Sequence, residues 1–168
     1  MGFLDFLKKK QCPKTKPFVA DKAEWQWDSA LEFYCEDTGV EPDAVQEEHE
    51  DQIWERAGNH IAFFLTWLIR HDGLSSWHCQ EDGDDIQAVK QKEMTGADFL
   101  ANNCDMVLSR EDIAKKFLSF VDAYYESRYM DDYTDFMGDN TLSATFSWED
   151  YERFEPVLNR VYEAYCKK

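Results

Sequence analysis

No stretch of this chain reaches the roughly 18 uninterrupted apolar residues needed to cross a bilayer. Cysteine pairs are missing too. Five cysteines stand at 12, 35, 79, 104 and 166, an odd number with no C-x-x-C spacing. That pattern fits reduced thiols and a cytoplasmic setting better than a disulfide framework. The N-terminus, MGFLDFLKKK, places its lysines after a short apolar run, the reverse of a secretory signal. Phe6 stands where a myristoylation motif needs Ser or Thr. GxSxG, P-loop, GxGxxG and HExxH are all absent, so no catalytic constellation can be read and no enzyme is expected.

Positive charge is the other scarcity. Eighteen Lys and Arg face thirty-five Asp and Glu, a formal net charge of −17. Six of the lysines fall in residues 1–22, against Asp5 and Asp21, so that segment is locally +4. The remainder carries twelve positive and thirty-three negative residues, or −21. Such a body repels phosphates, which argues against nucleic acid, and steers in basic partners.

Apolar material is not lacking. With 43% hydrophobic and 15% aromatic residues in 168, one domain can close a core without metals or disulfides. The spacing predicts an all-α chain: a basic N-terminal segment over 1–22, flexible or docked, and an acidic helical domain over 23–168. Its centre is a buried helix over Asp51–Gly73, with Ile53, Ala57, Ile61, Phe64, Leu65 and Leu68 at helical spacing and Gly73 as a left-handed stop. A first helix is predicted over Lys22–Asp37. Asp43 is expected to cap the residues leading into the central helix. Leu74 and Trp77 are assigned to the core. Thr95 with Asp98 and Ser147 with Asp150 read as helix starts, and Ser109 opens a helix carrying Phe117, Phe120 and Tyr124. Residues 127–140 read as a short helix and 141–146 as an extended piece. Pro156 should kink the last helix or split it at Glu155.

Candidate sites are few. Phe3 to Lys10 could form a short basic amphipathic anchor for a membrane surface. His60 and His71 share a face of the central helix, but no partner ligand stands at metal spacing, and core histidines are expected. The run Glu81, Asp82, Gly83, Asp84, Asp85 lacks the ligand pattern of a calcium loop. Cys79 and Cys104 show no histidine in a nucleophile motif. No cofactor or metal is expected. What remains is a surface on which acids and aromatics alternate: Tyr129, Asp131, Asp132, Tyr133, Asp135 and Asp139, with the acidic Glu81, Asp82, Asp84 and Asp85 as a second patch. Aromatics anchor interfaces and acids steer and select, so both are expected to bind a partner.

The order of several fragments adds a resemblance. AGNHIAFFLTWLIRHDGL, MTGADFLANNCDMVLSREDI, FVDAYYESRYMDDY and SWEDYERFEPVLNRVYE together resemble a bacterial domain family with an HI-x-x-FL-x-W-x-I signature. The resemblance runs from about Trp25 to Tyr165. Members of that family are similar to small acidic immunity proteins encoded beside polymorphic toxins. The resemblance thus implies a protein that neutralises a cognate toxin, one expected to be basic at its contact face, and transfers no catalytic residue. The alternatives are a metal-binding or hydrolytic enzyme using His60 and His71, or an adaptor held at the membrane through residues 3–10.

Overall fold

The helix α2, Glu47–Arg70, is wrapped on every side from Arg56 to Ile69. In the computed structural model, which describes residues 16–168, each residue from Arg56 to Ile69 is buried. α2 starts with reciprocal bonds. The Gln46 side chain accepts from the His49 backbone, and His49 Nδ1 accepts from Gln46 N at 3.1 Å. The cap is therefore Gln46, not Asp43. Glu47, Glu48 and Glu50 in the first turn and Arg70 in the last complement the helix dipole.

The left-handed residue that ends α2 is Asp72, at φ 54°, rather than Gly73. Gly73 is needed for space: a Cβ there would lie 2.9 Å from the Leu68 carbonyl oxygen and 3.1 Å from the Phe117 ring.

The other helices are α1 Trp27–Thr38, α3 Ser76–Glu81, α4 Gly83–Lys90, α5 Gly96–Cys104, α6 Lys115–Tyr124, α7 Met130–Met137 and α8 Trp148–Cys166. The all-α expectation holds. The one sheet among the described residues is a two-stranded ribbon, β1 Ala20–Lys22 antiparallel to β2 Val107–Ser109, with Asp21 opposite Leu108. Residues 22–26, expected as the start of the first helix, instead finish β1 and make a 3-10 turn before α1. Phe18 is buried and its N–H donates to Asp122 at 2.9 Å, so residues 18–22 are built into the body.

The expected caps at Thr95/Asp98 and Ser147/Asp150 are present. Ser109 and Asp112 form a reciprocal cap as well, but on a 3-10 turn that precedes α6. Residues 141–146 form turn and coil rather than a strand. They are tied to α2 by side chains: Asn59 donates to the Ala144 carbonyl at 3.2 Å, and Glu55 accepts from Phe146 N at 3.0 Å. α8 runs through Pro156 without a break. Pro156 and Glu152, whose carbonyl loses its partner, both face solvent, so water can satisfy the unmade bond.

The core is aromatic. Trp67 packs against Phe64, Phe117, Phe120 and Tyr162, and its indole N–H donates to Asn159 at 2.8 Å. α5 crosses α2 so closely that a Cβ on Gly96 would fall 1.8 Å from Thr66 Oγ1. Trp77, expected inside, is 59% exposed.

Candidate partner-binding surface

α7 and the π-helical turn before it, Tyr125–Tyr129, sort the expected 129–139 surface into two halves. Tyr129 and Tyr133 are 0% exposed, inside the core against Phe154 and, for Tyr133, Phe63. The Tyr129 hydroxyl donates to the His60 carbonyl at 2.5 Å. They cannot serve as surface anchors without opening the core. Asp131, Asp135 and Asp139 are exposed. Asp132 turns back to accept from Tyr124 at 2.9 Å and pairs with Arg128. Aromatics four apart point inward while Asp131 and Asp135 face water, which makes an amphipathic helix rather than a mixed patch.

The run Glu81–Asp85 is the joint between α3 and α4, with Asp84 and Asp85 in the first turn of α4. Glu81 and Asp84 are exposed, Asp85 accepts from Asn103 at 3.0 Å, and Asp82 is bound to His78.

Acids and exposed aromatics do meet, but elsewhere. Between Lys22 and Arg56 the chain holds twelve Asp and Glu and no Lys or Arg. Eleven of those twelve are exposed. Trp25, in the 3-10 turn, is 62% exposed and Phe33, on α1, is 37% exposed. Trp25, Asp28, Glu32 and Glu36 fall at three- and four-residue steps, and Phe33 lies three residues before Glu36, so they share a side of the turn and helix. Only Asp37 in this stretch holds an Arg or Lys among the described residues, Arg56 at 2.8 Å. The signal was present in the sequence as a long interval without a positive charge.

Beside this face lies a groove of about 350 Å³ between α2 and α5, lined by Asp51, Trp54, Glu55, Ala97, Asp98, Ala101 and Met106. Trp54 packs on Trp27 of α1, with ring centroids 4.4 Å apart. Three carboxylates thus surround an apolar floor. Burial, with a smaller push from Asp98, raises the Glu55 pKa against the bond from Phe146 N. A cation entering the groove would relieve that cost, and the floor suits the aliphatic stem of Lys or Arg.

Two histidine clusters complete the polar interior. His60 Nε2 lies 3.0 Å from Asp21, which also accepts from the Tyr125 hydroxyl at 2.8 Å. His71 Nδ1 sits 2.8 Å from the Trp67 carbonyl, its ring stacked on that indole. The two histidines are eleven residues apart along α2, roughly 16 Å, and cannot share a metal ion.

His78 is different. Its Nδ1 lies 2.5 Å from Asp82 and its Nε2 2.9 Å from Asp112, while Cys104 Sγ sits 4.0 Å from Nε2. Sequence reading missed this histidine beside Cys104, because the two stand on separate helices. Burial alone would lower the His78 pKa, but the bonds to Asp112 and Asp82 raise it. Burial and the neighbouring carboxylates push the Cys104 thiol up to about 12. A thiol held that firmly protonated is a poor nucleophile.

The chain matches the family described as "Domain of unknown function (DUF7832)" over residues 20–147. It belongs to that family. The matched span includes β1, α2, the acidic face and the His78 cluster, and stops at the cap of α8. No curated protein and no solved structure matches the chain. No helix among the described residues is long and apolar enough to cross a membrane. The anchor expected at Phe3 to Lys10 lies outside the described residues.

Proposed function

We propose that this chain is a binding protein that neutralises a cognate toxin by covering a basic surface, as the resemblance to immunity proteins implies. The observation that supports this most is the unbroken acidic interval between Lys22 and Arg56, exposed on α1 and the first turns of α2 and bearing Trp25 and Phe33. The acids would speed encounter with a basic partner, and the two rings would hold it once docked. The carboxylate-lined groove beside them would take a Lys or Arg side chain. This face replaces the α7 segment as the favoured contact, because the α7 tyrosines are committed to the core. An enzyme built on His60 and His71 is disfavoured by their separation and by their engagement with Asp21 and Trp67.

The test is a protection assay. Cells co-express this chain with any toxin domain found encoded beside its gene, and survivors are counted. The parent chain is expected to protect. Trp25→Ala combined with Glu32→Lys and Glu36→Lys is expected to lose protection with an unchanged melting temperature, since all three positions are exposed. Absence of protection by the parent would refute the toxin reading. Full protection by the variant would refute this face.

A further inference from the structure

We propose a metal site for a zinc-like divalent cation at His78 Nε2, Cys104 Sγ and Asp112 Oδ1, independent of the acidic face. The three donor atoms come from the first turn of α3, the last residue of α5 and the 3-10 turn after β2, and all lie within 4.8 Å of one another. Tetrahedral zinc with bonds of about 2.0–2.3 Å needs N···O and N···S separations of roughly 3.3 and 3.6 Å. The observed separations are 2.9 Å from Nε2 to Asp112 and 4.0 Å from Nε2 to Cys104. The first is short and the second long by about 0.4 Å, and with Cys104 Sγ within 4.8 Å of Asp112 Oδ1 the three donors would close on an ion by small side-chain shifts.

The ring and the carboxylate are already aimed. Asp82 holds Nδ1, the carboxylate–histidine–metal arrangement that fixes which nitrogen faces the ion. Asp112 Oδ2 is engaged by the Ser109 backbone N–H and by the Ser109 hydroxyl, at 2.6 and 2.8 Å, which leaves Oδ1 for the metal. Cys104 is followed by two successive residues of positive φ, Asp105 and Met106 (50° and 60°), and this turn leads the chain from α5 into β2 and on to Asp112. The mixed N, S and O donor set suits zinc better than magnesium or calcium, which take oxygen. On binding, the ion replaces the proton between Nε2 and Asp112 and the thiol proton, and both protons leave to solvent. With three protein ligands the fourth position falls to water. The site would clip α3, α5 and the segment after β2 together.

The probe is cobalt(II), titrated into the metal-stripped full chain, with zinc as competitor. The expected result is one cobalt per chain, visible bands of tetrahedral intensity and a sulfur-to-cobalt charge-transfer band, all abolished by zinc. Cys104→Ser should remove the charge-transfer band. Asp82→Asn should keep the band and weaken affinity by about 10–100-fold, the usual effect of losing a histidine's outer partner. Zinc should raise the melting temperature of the parent with increasing concentration and leave Cys104→Ser unmoved. Failure of the parent to bind stoichiometric cobalt, or a charge-transfer band that survives Cys104→Ser, would overturn the proposal. Cys104→Ser retains the Asp82–His78–Asp112 bonds, so its fold serves as the control if charge-altering variants unfold.

Discussion

Removing the Trp67 side chain tests the central packing directly. Its ring is fully buried among Phe64, Phe117, Phe120 and Tyr162, drawn from α2, α6 and α8. Trp67→Ala would leave a cavity that rings on three helices cannot fill without moving, so a loss of about 3–5 kcal/mol is expected. For a domain of this size each kcal/mol moves the melting temperature by about 2–4 °C, giving a fall of roughly 6–20 °C. Trp67→Phe keeps most of the bulk and loses the bond to Asn159, so it should cost less, about 1 kcal/mol plus the smaller void. Trp77→Ala, at an exposed position, should change stability by no more than about 0.5 kcal/mol. The assay is thermal unfolding followed by far-ultraviolet circular dichroism on all three variants. Equal melting temperatures for Trp67→Ala and Trp77→Ala would refute the packing described here.

Gly96→Ala is expected to destabilise by about 1–3 kcal/mol, because the new methyl group collides with Thr66 and α5 must back away from α2. The urea midpoint reads this, and an unshifted midpoint would deny the close crossing. Burial pushes the Asp21 carboxyl up, but His60 and Tyr125 outweigh it and hold it below the ordinary value. Its contribution is therefore present above about pH 4 and lost as pH falls through the lowered value, so Asp21→Asn should flatten that part of the acid-unfolding curve. Parallel curves for parent and variant would count against it. The raised Glu55 pKa has the opposite sense: stability falls as pH rises from about 4.5 through the folded value. Glu55→Gln should be more stable than the parent at neutral pH, and a less stable variant would show that the carboxylate is better paired than described.

The elements that could be read from sequence were those whose local and tertiary signals agree. α2 announced itself because its apolar residues cover most of the cylinder, and the caps at Thr95 and Ser147 because both partners lie within four residues. The ribbon could not be read, since three-residue strands are too short to show alternation. The α7 segment misled because inward tyrosines and outward aspartates at helical spacing produce the same string as a mixed surface patch. Trp77 misled because a lone tryptophan in a six-residue helix carries no periodicity to say which way it faces. The His78 cluster left only a partial linear trace: His78 and Asp82 stand four apart, but Cys104 and Asp112 come from remote elements. The acidic face was legible as an interval without Lys or Arg, a pattern visible only when absences are counted along the chain.

The enclosure of α2 from Arg56 to Ile69 has a consequence for biosynthesis. The helix is finished at Arg70, but its cover arrives in instalments, and the last, α8, ends at Cys166. At about 5–20 residues per second, the ribosome needs roughly 5–20 s to supply the rest. For most of that interval the nascent chain presents Phe63 and Trp67 with their α8 neighbours, Tyr151, Phe154 and Tyr162, still unmade. A chain released before α8 would carry an uncovered aromatic seam, a natural substrate for chaperones and for quality-control proteases. Every stop codon short of the last helix is therefore expected to yield an aggregating or degraded product rather than a smaller working domain.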